Sequence, residues 1–347
     1  MTVINAMIFD KHSGAMCCDE QTSIGEVRKM MSSDKIQNIV PSKIRENVKL
    51  EAVYGGTGTT AIGDEIRRGI KLRLRENYDN ALNRSKDSAD SFTSTDDIFQ
   101  IAYEEMMKVK HRHIDDVING YFNFGTVDYM QGFYNDIKKE KIEINQKELK
   151  EKVFDLINWK NAEEVDSIFL NAAIIAGFDS SGEFKICKLS MKTEMLLQMA
   201  GSVFETVGSG SDSAQIIFSD YAGSKTLDER RNHIDRVEGM IQLIRATNAA
   251  AKFNMGVGGY FNIVLFDSSE DDPAKRLFEV YDAKAKLTSE VVFAYYNKFI
   301  DYETAYELTD ELIFKRQKSF EELNSRFLDA SADRIKMLRF LRGYKTH

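Results

Sequence analysis

The stretch TVINAMIFDKHSGAMCCDEQTS, residues 2–23, decides the fold. Its apolar segments, residues 3–9 and 15–20, flank DKHSG, a short polar segment that ends in glycine. Two such segments around a short loop predict an antiparallel β-hairpin. Because the hairpin follows directly on Thr2, a small hydroxyl residue, the pattern raises the question of whether this terminus is itself a working part of the protein.

Further elements follow in alternating groups. Strand patterns recur at residues 36–40, 49–56, 165–179, 184–191 and 256–267. Helical patterns occur at 61–82, at 228–253 and from about 273 to the end, and a glycine-rich turn that opens a helix lies at 207–218. The order of strands, helices, strands, helices and strand predicts mainly antiparallel sheets with segregated helices. We therefore expect an α+β fold, in which two sheets stack between two helix layers as a four-layer αββα sandwich.

Composition excludes several classes of protein. The chain has 347 residues, of which 43% are hydrophobic, and this is ample for a packed core. Its formal charge of −8 argues against a sequence-independent nucleic-acid binder, which normally carries a basic face. No apolar run is long enough for a membrane span, and the first residues lack the pattern of a secretory signal. We expect a cytoplasmic protein with its three cysteines reduced.

The residues near Thr2 suggest a particular chemistry. A threonine hydroxyl needs a base, and a terminal threonine carries one in its own α-amine once the preceding methionine is removed. A nearby lysine would lower the pKa of the amine, and a carboxylate would orient that lysine. Asp19 and Lys35 are sixteen residues apart and offer these two groups. The glycine-rich segments YGGTGTT (54–60) and GSGS (208–211) offer free amides for an oxyanion.

Taken together, these residues resemble the N-terminal nucleophile (Ntn) hydrolases of the proteasome β-subunit type and their bacterial and archaeal relatives, which are threonine peptidases. The resemblance implies that Thr2 is the nucleophile, that Asp19 and Lys35 are its catalytic partners, that the Gly55 amide serves the oxyanion and that Ser209 positions the amine. It implies peptide or unfolded-protein substrates, a homo-oligomeric ring or ring-like assembly, and no metal or organic cofactor. It names no unfoldase partner.

Four positions depart from the family pattern, and one of them is Gln21, which stands where the family often has an arginine. Asn254 and Val257 stand where the family has an Asp and a Ser near the terminal amine, and Ser23 stands where it usually has a threonine. The hydrogen-bonding shell of the nucleophile is therefore altered, while Thr2 and its two charged partners are retained.

The extent of the resemblance predicts the domain organisation. It covers roughly residues 2–66 and 165–267, and we expect residues 1–66 and 164–272 to form the Ntn core. Residues 67–163 are then a helical insertion, with a surface loop at 83–97, and residues 273–347 are a helical C-terminal extension.

Alternative interpretations remain open. The chain is either a peptidase, a catalytically silent structural subunit, or an amidase or peptide ligase of the same fold. The Asp19–Lys35 pair is either catalytic or an ordinary buried ion pair. The segment GGTGTT lacks the GK[ST] ending of a P-loop. His111 and His113 do not share a helix face, so we expect no metal site there.

Overall fold

The computed structural model describes residues 2–24, 28–31, 35–84, 92–135, 138–145, 147–158, 171–191, 196–197, 203–232, 234–254, 257–259 and 261–343. Within these ranges, every helix is either too short or too polar to span a bilayer.

Two five-stranded sheets form the centre of the molecule, and every described strand pair in them is antiparallel. The first sheet contains, in spatial order, β12 (Phe204–Gly208), β1 (Val3–Ile8), β2 (Ser13–Asp19), β13 (Phe261–Asp267) and β14 (Leu277–Val280). The second contains β11 (Leu196–Leu197), β10 (Lys185–Ser190), β9 (Ala172–Phe178), β6 (Glu51–Thr57) and β5 (Ile36–Asn38). Two small hairpins pair β3 (Gln21–Ile24) with β4 (Arg28–Met31) and β7 (Phe133–Asn135) with β8 (Lys141–Glu143).

Helices occupy most of the remaining described chain. They are α1 (Ser42–Arg45), α2 (Thr60–Arg84), α3 (Thr95–Phe122), α4 (Thr126–Gln131), α5 (Lys147–Asn158), α6 (Ser211–Gly223), α7 (Leu227–Asn232), α8 (Arg236–Phe253), α9 (Pro273–Arg276), α10 (Asp282–Tyr296), α11 (Tyr302–Thr309), a π-helical turn (Asp310–Lys315), α12 (Phe320–Asp329) and α13 (Arg334–Arg342).

Strand alternation distributes the apolar side chains between two faces. In β1, Val3 and Met7 belong to a cluster with helices α6, α8 and α10, while Ile4 and Ala6 belong to a cluster between the two sheets. Successive side chains of a strand point to opposite faces, so a strand that is apolar throughout is buried on both sides. This accounts for the apolar residues on both faces of the opening hairpin, in which Asn5 is the one polar residue of β1.

The outer face of the second sheet is covered by α2 and α3. Ile66, Leu74, Phe99 and Met106 are fully or almost fully buried there against residues such as Tyr54. Beyond these helices, a smaller separate cluster forms around the C-terminal part of α3, with α5.

The mixed α and β fold with antiparallel sheets is confirmed, and three sequence expectations change in detail. Helix α2 runs through residue 66 without a break, so its apolar stripe packs on the second sheet instead of starting an insertion. Strand β14 lies in a segment predicted to be helical, because its register with β13 extends the first sheet. The helix predicted at 228–253 is two helices, α7 and α8. Parts of the predicted loop 83–97 and strand 165–179, residues 85–91 and 165–170, lie outside the described residues.

Candidate active site

Thr2 lies at the entrance of β1, where the two sheets meet, and only 8% of its surface is exposed. Its N–H donates to Ser209 Oγ at 3.2 Å, and its C=O accepts the Gly210 N–H at 3.4 Å. The turn between β12 and α6 therefore holds the backbone of Thr2 from both sides. Met1 lies outside the described residues.

Asp19 ends β2 and is completely buried. Its Oδ1 accepts both the Val3 N–H and the Lys35 ammonium, each at 2.9 Å. Its Oδ2 accepts the Gly258 N–H at 3.0 Å. One carboxylate therefore links the peptide that follows Thr2, the lysine and the loop before β13, and its geometry is fixed from three directions.

Lys35 immediately precedes β5 and is 9% exposed. Besides Asp19, its Nζ donates to the Gln21 C=O at 2.6 Å. A buried ammonium is costly unless it is paired and hydrogen-bonded, and both conditions are met here. The positive charge is thereby held one carboxylate oxygen away from the Val3 N–H, beside Thr2.

Glycine is required at position 208. Its φ of +101° is in the region that favours glycine, and a Cβ at this position would lie 2.1 Å from the Thr2 carbonyl oxygen. It would also lie 3.1 Å from Cγ2 of Thr57, at the end of β6. The glycine thus allows the ends of both sheets to approach Thr2 closely.

Gly55 does not have the geometry expected of it. Ladder hydrogen bonds join Lys35 with Gly56 and Ile39 with Ala52, so alternate residues of β6 direct their N–H groups toward β5. Gly55 falls between them, so its N–H faces Ile174 of β9. The expectation that this N–H serves an oxyanion is therefore corrected. Gly55 instead permits close packing, because a Cβ there would lie 2.9 Å from the Ile4 and Met16 side chains.

Three of the four altered positions differ in their surroundings. Asn254 Nδ2 donates to the Ser209 C=O at 2.8 Å, so this residue supports the turn that holds Thr2. Val257 is 4% exposed and packs near Gly210. The backbone of Ser23 lies in β3, and its side chain is outside the described part of the structure.

The cysteines next to Asp19 are packing residues. Cys17 belongs to the cluster that the first sheet forms with helices α6, α8 and α10, and Cys18 belongs to the cluster between the two sheets. Burial raises the pKa of Cys17 to about 12 and that of Cys18 well above its usual value. Neither thiol is therefore ionised at neutral pH.

Sequence reasoning missed two groups that hold the charged pair. They are the Gly258 N–H, which Asp19 accepts, and the Gln21 C=O, which Lys35 contacts; Gln21 N–H also donates to Gly258 C=O at 3.0 Å. Both act through backbone atoms, which residue types do not reveal. For the Gly258 N–H, the one available signal in the sequence was the glycine-rich segment GVGG, residues 256–259, before a predicted strand.

The arrangement supplies the parts for nucleophilic chemistry at Thr2: a hydroxyl, a nitrogen on the same residue, a buried ammonium and a carboxylate that orients it. Among the described residues, no three His, Cys, Asp or Glu side chains form a group that could hold a metal ion.

Comparison with solved structures shows a fold that is shared with Anbu proteins. Anbu (ancestral beta-subunit) from Yersinia bercovieri matches with a TM-score of 0.53 and 9% identity, over 85% of this chain and 94% of that chain. A Gly-1 mutant of Anbu from Hyphomicrobium sp. strain MC1 matches with a TM-score of 0.53 and 11% identity, over 86% and 96%. The Anbu complex from Pseudomonas aeruginosa, described as a helical assembly, matches with a TM-score of 0.52 and 11% identity, over 86% of this chain and 95% of that chain.

These matches correct the family named from the motifs. The matching structures are Anbu proteins, so the assignment to proteasome β-subunit-type threonine peptidases is wrong as to family. No protein-family model and no curated protein sequence matches the chain. At 9–11% identity the likeness establishes the fold.

Proposed function

We propose that this chain is a subunit of a proteasome-like homo-oligomer that hydrolyses peptide bonds with Thr2 as nucleophile, after removal of the residue before it. The observation that carries the proposal is the double use of Asp19 Oδ1, which accepts both the Val3 N–H and the Lys35 ammonium. This contact ties the buried charged pair to the peptide that follows Thr2, which is where a nucleophilic hydroxyl would need it.

The proposed reaction uses the freed α-amine of Thr2 as the general base. The amine takes the proton of Oγ as Oγ attacks the substrate carbonyl, and the leaving amine departs with that proton. Water then hydrolyses the resulting ester. The Lys35 ammonium favours the neutral amine and stabilises negative charge that develops on Oγ. Asp19 holds Lys35, and Ser209 Oγ, which now accepts the Thr2 N–H, orients the amine.

The wider setting is part of the same proposal. The substrates are peptides or unfolded proteins, and the subunits form a closed or helical assembly, which the helical assembly of the Anbu complex from Pseudomonas aeruginosa supports. A cytoplasmic location fits three buried cysteines without a disulfide. We also propose the layer order helix, sheet, sheet, helix, with the small cluster around Ile114, Ile118 and Val153 as an addition to this core.

A silent structural subunit is the second candidate. Asn254 and Val257 replace an acidic and a hydroxyl residue of the family pattern, so the terminal amine loses a negative charge at position 254 and a hydrogen-bonding hydroxyl at position 257. Asn254 instead donates to the Ser209 C=O.

Matched lysine substitutions separate the two candidates. Lys35→Arg keeps the charge but replaces a compact ammonium with a planar fork, so turnover of a fluorogenic peptide should fall by about 100-fold. Lys43→Arg, in an exposed ion pair with Asp79, should retain full turnover. Thr2→Ala should abolish hydrolysis without changing the assembly. Wild-type protein that has a free Thr2 terminus and no peptidase activity would favour the structural subunit.

A further inference from the structure

A cleft of about 650 Å³ opens beside the candidate active site, where the edges of the two sheets face each other. Ile36 of β5 forms one wall, and residues of β13, β14 and the start of α10 form the other. Glu20 also lines the cleft, so two of its lining residues, Glu20 and Ile36, directly follow Asp19 and Lys35 in sequence. Its volume is within the usual range of small-molecule sites.

Glu20 is the unusual residue of this cleft. It is only 6% exposed, and no hydrogen bond or ion pair joins its carboxylate to another described residue. Burial, followed by the neighbouring Asp282 carboxylate, raises the pKa of Glu20. The Lys35 ammonium acts in the opposite direction, but no hydrogen bond satisfies this carboxylate within the described chain, so the free protein carries an energetic cost that a cation in the cleft would relieve.

The other charges of the lining favour a cation. Asp282 and Glu279 add two carboxylates, and Lys71 is the one ammonium among the described lining residues. Burial, and then Arg67 and Arg75, lower the pKa of Lys71, and no ion pair within the described chain joins it to these carboxylates. Asp282 also has a φ of 53°, a backbone conformation that non-glycine residues adopt mainly at constrained sites.

We propose that this cleft binds an organic cation, an alkylammonium or a guanidinium group, through Glu20 and Asp282. The cation comes either from a free diamine or from a basic side chain of a peptide. The site is separate from the chemistry at Thr2, although a bound cation would lie beside the Asp19–Lys35 pair.

Isothermal titration calorimetry on the full-length Thr2→Ala protein tests this proposal, because binding is then read independently of any peptidase activity. The ligands are 1,5-diaminopentane, L-arginine, the peptide acetyl-Gly-Lys-Gly-amide and, as a neutral control, 1,5-pentanediol. We expect saturable binding of at least one cation and none of the diol. Binding of the peptide identifies a side chain as the occupant, and binding of the diamine alone identifies a free cation.

Three variants provide the controls. Glu20→Gln and Asp282→Asn should each weaken binding by about 10- to 100-fold, the loss typical of a charged hydrogen bond. Asparagine tolerates the left-handed backbone of residue 282, so the second variant remains informative if the first unfolds. Glu303→Gln, which removes an exposed carboxylate of α11, should bind as tightly as the parent. Any one of three results would overturn the proposal. The first is that no cation binds at about 10 mM ligand, and the second is that calcium chloride binds saturably while none of the organic cations does. The third is that Glu20→Gln and Glu303→Gln bind the cation with equal affinity.

Discussion

Replacing Asp19 with asparagine should destabilise the protein far more than any surface charge change. Asparagine keeps one oxygen but puts an NH2 group where the carboxylate accepted the Gly258 N–H or the Lys35 ammonium, both within 3.0 Å. It also leaves the Lys35 ammonium, at the end of a side chain that is 8% exposed, without a counter-charge. Removing one partner of a buried ion pair typically costs about 3–5 kcal/mol.

Urea unfolding at a fixed chain concentration, followed by circular dichroism, measures this cost. With a slope of about 3 kcal/mol/M for a chain of this size, the midpoint should fall by about 1–1.7 M. Asp79→Asn is the matched control, because it breaks an exposed pair with Lys43 and should cost about 0–1 kcal/mol. In a double-mutant cycle, Lys35→Met should recover part of the loss caused by Asp19→Asn, since it removes the unpaired charge. Equal midpoints for Asp19→Asn and Asp79→Asn would refute the reasoning.

Three further predictions concern the surroundings of the site. Gly208→Ala should abolish peptidase activity and lower the melting temperature, because its Cβ would lie 2.1 Å from the Thr2 carbonyl oxygen. The control Gly63→Ala in α2, where a Cβ meets no atom within 4 Å, should stabilise the protein by about 0.5–1 kcal/mol. Similar melting temperatures for the two variants would contradict this prediction. The pKa of Glu20 is raised from 4.5, so its carboxyl favours the native state when protonated and that contribution is lost as pH rises through the raised value. Glu20→Gln should therefore raise the melting temperature at pH 7 and leave it nearly unchanged below pH 4.5, and a larger gain in acid would show that the sign is wrong. Asn254→Asp should move the acidic limb of the rate profile to higher pH, because a carboxylate near Ser209 stabilises the protonated amine; an unchanged limb would mean that residue 254 does not sense the terminus.

The sequence was sufficient for the parts of the fold that depend on periodicity. The opening hairpin, the helix after Gly58 and the strand before residue 267 each have a strong local pattern, and they lie close to where they were expected. The boundaries of helices and strands that depend on tertiary packing could not be predicted from the sequence. Nothing local distinguishes the first turns of α2 from later ones, yet its whole buried stripe covers the second sheet. Strand β14 is short and owes its conformation to pairing with β13.

The candidate site shows the same division. Thr2, Asp19, Lys35 and Ser209 were found as residue types at given spacings. In the structure Thr2 is hydrogen-bonded to Ser209 and Lys35 to Asp19, and Asp19 also accepts the N–H of Val3, the residue after Thr2. The role expected of Gly55 depended on which edge of β6 its N–H faces. Which neighbouring strand this N–H faces is set by the register of β6 with β5 and β9, and that register involves residues far apart in sequence.

The most direct test of the central claim is to locate the covalent adduct of a peptide-like β-lactone on the native protein. The ring opens when a hydroxyl attacks its carbonyl, so the nucleophile gains the full mass of the reagent. Peptide mapping by mass spectrometry should find that mass on a terminal peptide that begins at Thr2, and the adduct should be absent from Thr2→Ala. An unmodified terminal peptide that begins at Thr2, or an adduct that persists in Thr2→Ala, would contradict the assignment of Thr2 as the nucleophile.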